Sequence, residues 1–254
     1  MAKILRNDNK IITHLVQLSD IHVSKNTARH DEYKYVFNNL YQNMKDKLYK
    51  TTNFITVICG DTVNENSRLA PNQIELVKEL FINLCNFSDV IVILGNHDMN
   101  MHDQSINSIE PIIKNTITKH NIFLLTENCN YVYNNIVFGV TTMHADVVTS
   151  PMKINNKINI SLYHGTLHGC QLENGMTMSN NKLFTNKDFA GYDVVCLGDI
   201  HKFQYMNKNK TICYASSLIQ QNVSESVIDH GYVLWDLETK LSKLVRYFRF
   251  SGSS

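Results

Sequence analysis

The residues of this chain that are fit for chemistry stand where apolar runs break off. Val90-Ile-Val-Ile-Leu stops at Gly95 and delivers Asn96, His97 and Asp98: an amide, an imidazole and a carboxylate. The arrangement recurs. Asp20 and His22 follow Leu18, Asp61 follows Gly60, His164 follows residues 158–163, and Asp199 and His201 follow Gly198. An apolar run ending at such a break reads as a buried parallel strand closed by a tight turn. In open α/β sheets ligands bind at the carboxyl ends of such strands. Asp20 and His22 lie two apart, which in extended backbone sends both side chains to one side, and Asp199 and His201 repeat the spacing. Carboxylate, imidazole and amide oxygen without thiolate suit divalent Mn, Fe, Zn or Mg. These donors exceed one coordination sphere and divide into two overlapping sets. Two ions roughly 3.5–4 Å apart can clamp both oxygens of an in-line displacement at phosphorus. Ions that close need a shared carboxylate, and Asp61 is the expected bridge. Without cations, so many carboxylates and imidazoles together would repel or titrate anomalously.

The elements that must position these residues alternate in the first half of the chain. Residues 11–18 read as a strand, residues 31–49 as a helix through Tyr33, Val36, Phe37, Leu40, Met44 and Leu48, and residues 54–59 as a second buried strand. Pro71 opens another amphipathic helix, followed by the strand that begins at Val90. Strand–helix alternation with short connections implies right-handed crossovers and a parallel sheet. Beyond Asp98 the pattern is mainly β. Residues 104–119 carry a weak helical pattern, residues 122–125 a short strand, Asn134-Asn135 a hairpin turn, and residues 145–157 a loop. Residues 158–163 and 193–197 are strands, and residues 202–206, 211–214, 231–236 and 243–250 form a closing meander. The expected class is α/β, a four-layer α/β/β/α sandwich of two mixed β-sheets flanked by helices. Residues 1–250 would form one catalytic domain, and Ser251-Gly-Ser-Ser254 a tail or linker scar.

A net charge of +1 with 19% charged residues leaves no global nucleic-acid footprint, so any such contact must be local. The six cysteines lack any CxxC pair and several sit in apolar runs, which points to reduced core thiols and an intracellular protein. No apolar run approaches a membrane span and the N-terminus has no signal-peptide core, so a soluble chain that is not secreted is expected. Lys240, Lys243, Arg246 and Arg249 alternate with apolar residues, the pattern of a solvated strand face rather than a DNA patch.

In order and spacing, Asp20-Ile-His22, Gly60-Asp61, Gly95-Asn-His-Asp98, His164-Gly165 and Gly198-Asp-Ile-His201 resemble the five blocks of calcineurin-like metallophosphoesterases. The resemblance implies two divalent ions, most often Mn2+, with Mg2+, Fe2+ or Zn2+ as alternatives. Asp20, His22, Asp61 and His201 would hold one ion, and Asp61, Asn96, His164 and the position of Asp199 the second. His97 matches the family's non-ligand histidine, which assists phosphate binding and leaving-group protonation. The later blocks are most similar to SbcD-type nucleases of DNA double-strand-break repair, in a short form like those of large DNA viruses and phages. His164-Gly-Thr-Leu-His168, Gly198-Asp-Ile-His-Lys202, Tyr214-Ala-Ser-Ser-Leu-Ile-Gln-Gln-Asn222, Glu225 and His230-Gly-Tyr-Val-Leu-Trp-Asp236 carry that similarity.

The departures bear on function. Asp199 stands where relatives have His, which adds negative charge and favours harder cations. Thr62-Val63-Asn64 lacks a histidine common in the nucleases, which weakens the expectation of DNA-end contacts there; Asn64 and His168 are candidate substrate contacts. The chain ends before the capping domain and the helical segment that in the family binds an SbcC-type ABC ATPase. The expected activity is metal-dependent exo- or endonucleolytic cleavage of DNA, a hydroxide between the ions attacking phosphorus. DNA would be the substrate, an SbcC-type ATPase a partner, and a homodimer is compatible. The alternatives are a phosphatase or small-molecule phosphodiesterase, and a non-catalytic scaffold for the ATPase.

Overall fold

Every side chain of the strand Phe54–Cys59 is buried because both of its faces are covered. Ile55, Val57 and Cys59 enter a core between two sheets, while Phe54 and Ile58 enter a core beneath helices. Period-two alternation with both faces apolar is what an interior parallel strand requires. The computed structural model describes residues 1–48, 52–65, 68–226 and 228–246. Its first half runs β1 (Lys3–Arg6), β2 (His14–Leu18), α1 (His30–Lys47), β3 (Phe54–Cys59), α2 (Pro71–Leu84), β4 (Val90–Ile93), β5 (Met99–Asn100), β6 (Asp103–Asn107), α3 (Ile109–Lys114) and β7 (Ile122–Leu125). Then follow β8 (Cys129–Tyr133), β9 (Ile136–Thr141), β10 (Ile158–His164), β11 (Val194–Gly198), β12 (Gln204–Tyr205), β13 (Ile212–Tyr214), β14 (Gly231–Asp236) and β15 (Leu241–Arg246).

The strands form a six-stranded sheet, β15-β14-β2-β3-β4-β7, and a seven-stranded sheet, β1-β8-β9-β10-β11-β13-β12, with β5 and β6 as a separate hairpin. Both large sheets are mixed: β2, β3, β4 and β7 run parallel while β14 is antiparallel to β2, and β9, β10, β11 and β13 run parallel while β8 opposes β9. The four-layer α/β/β/α order is the expected one. On one flank, α1 turns Tyr33, Val36, Phe37, Leu40 and Met44 to the six-stranded sheet, at the three- and four-residue steps of a helix face. The other flank is thin. There Leu167, Cys170 and Phe189 pack on Leu197 and Tyr214, and the helical part among the described residues is the 3-10 turn Asn186–Phe189. Five cysteines are buried as free thiols, with Cys129 partly exposed. No helix among the described residues is long and apolar enough to cross a membrane.

Three expectations change. Residues 104–119 hold a strand and a short helix rather than one helix. Pro111 is tolerated only in a first turn, so the helix opens at Ile109 instead of running from 104. Residues 3–6 form an unforeseen edge strand, parallel to β8. The closing strands are no meander: β12 and β13 complete the seven-stranded sheet, whereas β14 and β15 cross over to the other one. The described residues between Tyr214 and Gly231 make that crossing. Tyr49, residues 247–250 with Arg249, and the tail 251–254 lie outside the described residues.

A buried amide ties the sheets together just behind their carboxyl edges. Gln17 of β2 accepts from Trp235 Nε1 at 2.8 Å and donates from Nε2 to the carbonyls of Leu197 and Cys213, each at 3.1 Å. Both of its N–H donors and its oxygen are engaged, and Gln17 and Trp235 are fully buried. Gln17→Ala leaves the Trp235 donor unpaired in the core, which costs about 1–3 kcal/mol, and takes a second donor from two carbonyls that the β11–β13 ladder already pairs. The expected loss of stability is about 1–3 kcal/mol. Urea denaturation followed by fluorescence of Trp235, the chain's single tryptophan, reads it directly. A loss below about 1 kcal/mol would show that the amide is not what joins the sheets.

Candidate active site

Leu18, Cys59, Ile93, His164 and Gly198 are the last residues of β2, β3, β4, β10 and β11, and the residues after them meet at one edge of the sandwich. The approach is too close for side chains at Gly95 and Gly198. A Cβ on Gly95 would lie 2.1 Å from Asp61 Oδ1, and one on Gly198 would lie 2.0 Å from the Cys59 carbonyl and 2.4 Å from Ser19 Oγ. The loops after β2 and β3 run side by side through Asp20 N–H to Gly60 O and His22 N–H to Asp61 O. Asp20, His22 and Asp61 take left-handed φ of 51°, 48° and 53°. A non-glycine residue held there costs about 1–3 kcal/mol, a strain met mainly at functional sites. Asp20 and His22 thus converge through two left-handed kinks, not through extended alternation. Packing holds the kinks in place: Tyr33 donates to the His22 carbonyl at 2.5 Å, and Gln73 to the Val23 carbonyl at 2.7 Å.

Asp61 is the hub. Its Oδ1 accepts the His97 backbone N–H at 2.9 Å, and its Oδ2 lies 3.4 Å from His22 Nε2 and 3.5 Å from His164 Nε2. Asp20 Oδ1 is 4.0 Å from His22 Nε2 and 3.9 Å from His201 Nε2. Three groups, Asp20–His22–His201, His22–Asp61–His97 and Asp20–Asp61–His164, each bring their donor atoms within 4.8 Å of one another. The hydrogen bonds turn those donors inward. His164 Nδ1 faces the Cys59 carbonyl at 2.8 Å and His201 Nδ1 faces Glu225 Oε1 at 2.7 Å, so a neutral ring presents the Nε2 lone pair to the site. There His164 Nε2 meets an acceptor, Asn96 Oδ1, at 3.1 Å, and His22 Nε2 lies 3.1 Å from His201 Nε2 while His22 Nδ1 is buried without a partner among the described residues. Facing lone pairs call for a positive charge between them, a proton or a metal cation. The donor set therefore fits divalent cations.

The electrostatics agree. Burial pushes Asp20 up to about 6 and His22 down to about 3. Burial also opposes charge on Asp61 and His164, but their mutual attraction wins and holds Asp61 below, and His164 well above, the usual ranges. Asp98, pushed up to about 7 by burial, is a brace: it accepts from Gly95 N–H at 3.0 Å and Val63 N–H at 3.1 Å and so fixes the turn that carries Asn96 and His97.

Of the expected site residues, the fold gathers Asp20, His22, Asp61, Asn96, His164 and His201, with His97 beside them, its ring centroid 4.9 Å from that of His22. Asp199 sits at the margin. Its N–H donates to Asp20, but its carboxylate accepts from Thr166 and joins none of the three groups. Asp199 and His201 therefore diverge. Asn64 meets the site through its backbone, its carbonyl receiving His97 Nδ1 at 2.9 Å. His168 belongs to the thin flank, bonded to Phe184 and Asn180. The role of Glu225 was not legible, although it stands in the tract already singled out after Tyr214.

The calcineurin-like phosphoesterase family model matches residues 13–203. An uncharacterized protein of Acanthamoeba polyphaga mimivirus is 40% identical over 253 residues, covering 95% of this chain but only 18% of that protein. The chain thus spans less than a fifth of the relative it matches. The crystal structure of the Pseudomonas putida nuclease MPE is 14% identical, with a TM-score of 0.33 over 65% of this chain and 67% of that one.

The close approach at Gly95 is testable without an activity assay. Gly95→Ala must displace the Asp61 carboxylate, so Mn2+ affinity should fall at least about tenfold, since even a displaced supporting partner costs 10–100-fold. Calorimetric titration of the metal-free variant measures it. Parental affinity would show that Asp61 does not depend on this contact.

Proposed function

We propose the following for this chain, which belongs to the calcineurin-like phosphoesterase family: it is a two-metal phosphodiesterase that cleaves DNA, a nuclease of the SbcD type. The observation that carries the two-metal reading is Asp61 Oδ2, a single oxygen between His22 Nε2 and His164 Nε2, 3.4 and 3.5 Å away. Asp20, His22, Asp61 and His201 would hold one cation, and Asp61, Asn96 and His164 the other, joined by Asp199 once its carboxylate leaves Thr166, Mn2+ being the expected ion. Bound divalent ions supply Lewis acidity toward phosphoryl oxygens and activate water at neutral pH.

The protein's own groups do the rest. Asp20 and Asp61 set the negative charge that draws cations, and the left-handed kinks aim them. His97 stands on the same turn as Asn96: the Asn64 carbonyl accepts from its Nδ1–H, and Nε2, when it too carries a proton, would be the donor to the phosphate and the departing alkoxide. A positioned imidazole acting as general acid contributes about 10²–10⁴-fold. DNA is favoured over a small phosphoester by the tract after Tyr214, whose sequence resembles the nucleases and which reaches the site through Glu225 on His201.

The test is cleavage of single- and double-stranded DNA with Mn2+ or Mg2+, beside p-nitrophenyl phosphate as a monoester. DNA cleavage abolished by EDTA is expected. Hydrolysis of the monoester alone would favour the phosphatase, and no hydrolysis at all the scaffold. His97→Ala should lower turnover about 10²–10⁴-fold while Mn2+ stoichiometry and DNA affinity persist. Cleavage at the parental rate, or an emptied metal site, would remove His97 from this role.

A further inference from the structure

Glu225 is a carboxylate in an unusual place. It is only 4% exposed, on the crossing between the sheets, and four donors converge on it. Oε1 accepts from His201 Nδ1 and from Asn222 Nδ2, both at 2.7 Å. Oε2 accepts from the Gln221 backbone N–H at 2.8 Å and from Ser217 Oγ at 3.2 Å. The same loop grips the opposite side of the site: Gln221 Nε2 donates to the Ile21 carbonyl at 3.2 Å, and Arg29 to the Gln220 carbonyl at 2.6 Å. One loop thus holds the backbone between Asp20 and His22 and the ring of His201.

We propose that Glu225 is a positioning residue that locks the His201 ring with Nδ1–H outward and Nε2 toward Asp20 and His22, and thereby sets the affinity of one cation. This rests on the two-cation reading above. A ring nitrogen can ligate only while it carries no proton, and the hydrogen bond at the other nitrogen decides which one that is. Glu225 leaves no choice. Its remaining lone pairs are occupied by three donors, of which the Gln221 N–H is backbone and cannot turn away.

That fixed donor predicts what Glu225→Gln does. The new amide oxygen must face Gln221 N–H, so the NH2 faces His201 Nδ1 and makes it the acceptor. The proton moves to Nε2, the nitrogen that should ligate. Titrating metal-free protein with MnCl2 in a calorimeter should show one of two binding steps weakened 10–100-fold and the other unchanged. His201→Ala should weaken the same step, and adding Glu225→Gln to it should change nothing further. A merely structural carboxylate would instead weaken both steps, or add to the His201→Ala effect.

Glu225→Asp, which keeps the charge but withdraws it by a methylene, should show the same selective loss. It also replaces the Gln variant if that one does not fold, as judged by thermal melting without metal. Parental affinity in the Gln variant, additivity with His201→Ala, or failure of both variants to fold overturns the proposal. A parent protein with a single step that these variants weaken would sustain Glu225 and refute the two-cation reading. A parent that binds no Mn2+ refutes both.

Discussion

The structure depends on how closely the carboxyl edges of the two sheets approach at Asp61. Its Oδ1 sits where a side chain on Gly95 would be, bonded to His97 N–H, while its Oδ2 faces an imidazole from each sheet. The contact is possible because glycines, Gly60, Gly95 and Gly198, stand where β3, β4 and β11 end. It persists because Gln17, a few residues back on β2, fastens β14 of its own sheet to the ends of β11 and β13. An apolar core is non-directional and would let two sheets slide. A fully bonded buried amide has one geometry, and a half-satisfied one is costly.

From this approach the chemistry follows. Six residues from five strand ends are brought together, most of them buried, with lone pairs facing each other. Burial alone would keep the carboxyls protonated and the rings neutral. The hydrogen bonds from His164 to Cys59 and from His201 to Glu225 instead aim the two Nε2 atoms into the site, one toward Asn96 and Asp61 and the other toward His22 and Asp20, an arrangement that stores affinity for cations. Strained backbone at Asp20, His22 and Asp61 is offset by the packing of Tyr33 and Gln73 from two helices.

Much of this was legible from local pattern. Strands buried on both faces show as unbroken apolar runs, and the polar residues after their glycines are the ones that converge. What stayed hidden depends on long-range choices. Whether residues 231–236 join β13 or β2 is decided by which edge is open, not by their own alternation. The spacing of Asp199 and His201 equals that of Asp20 and His22, yet Thr166, a residue of another loop, draws the Asp199 carboxylate aside. Glu225 lies 24 residues beyond His201 and declares itself only when the crossing loop folds back. Pro111, by contrast, did carry the signal that shortens α3.

The central claim is that one oxygen of Asp61 is shared by two cations. Anomalous diffraction at the manganese edge from crystals grown in excess MnCl2 tests it most directly. Two peaks roughly 3.5–4 Å apart, both within coordination distance of Asp61, are the predicted result. A single peak, or two peaks of which one lacks contact with Asp61, would contradict it.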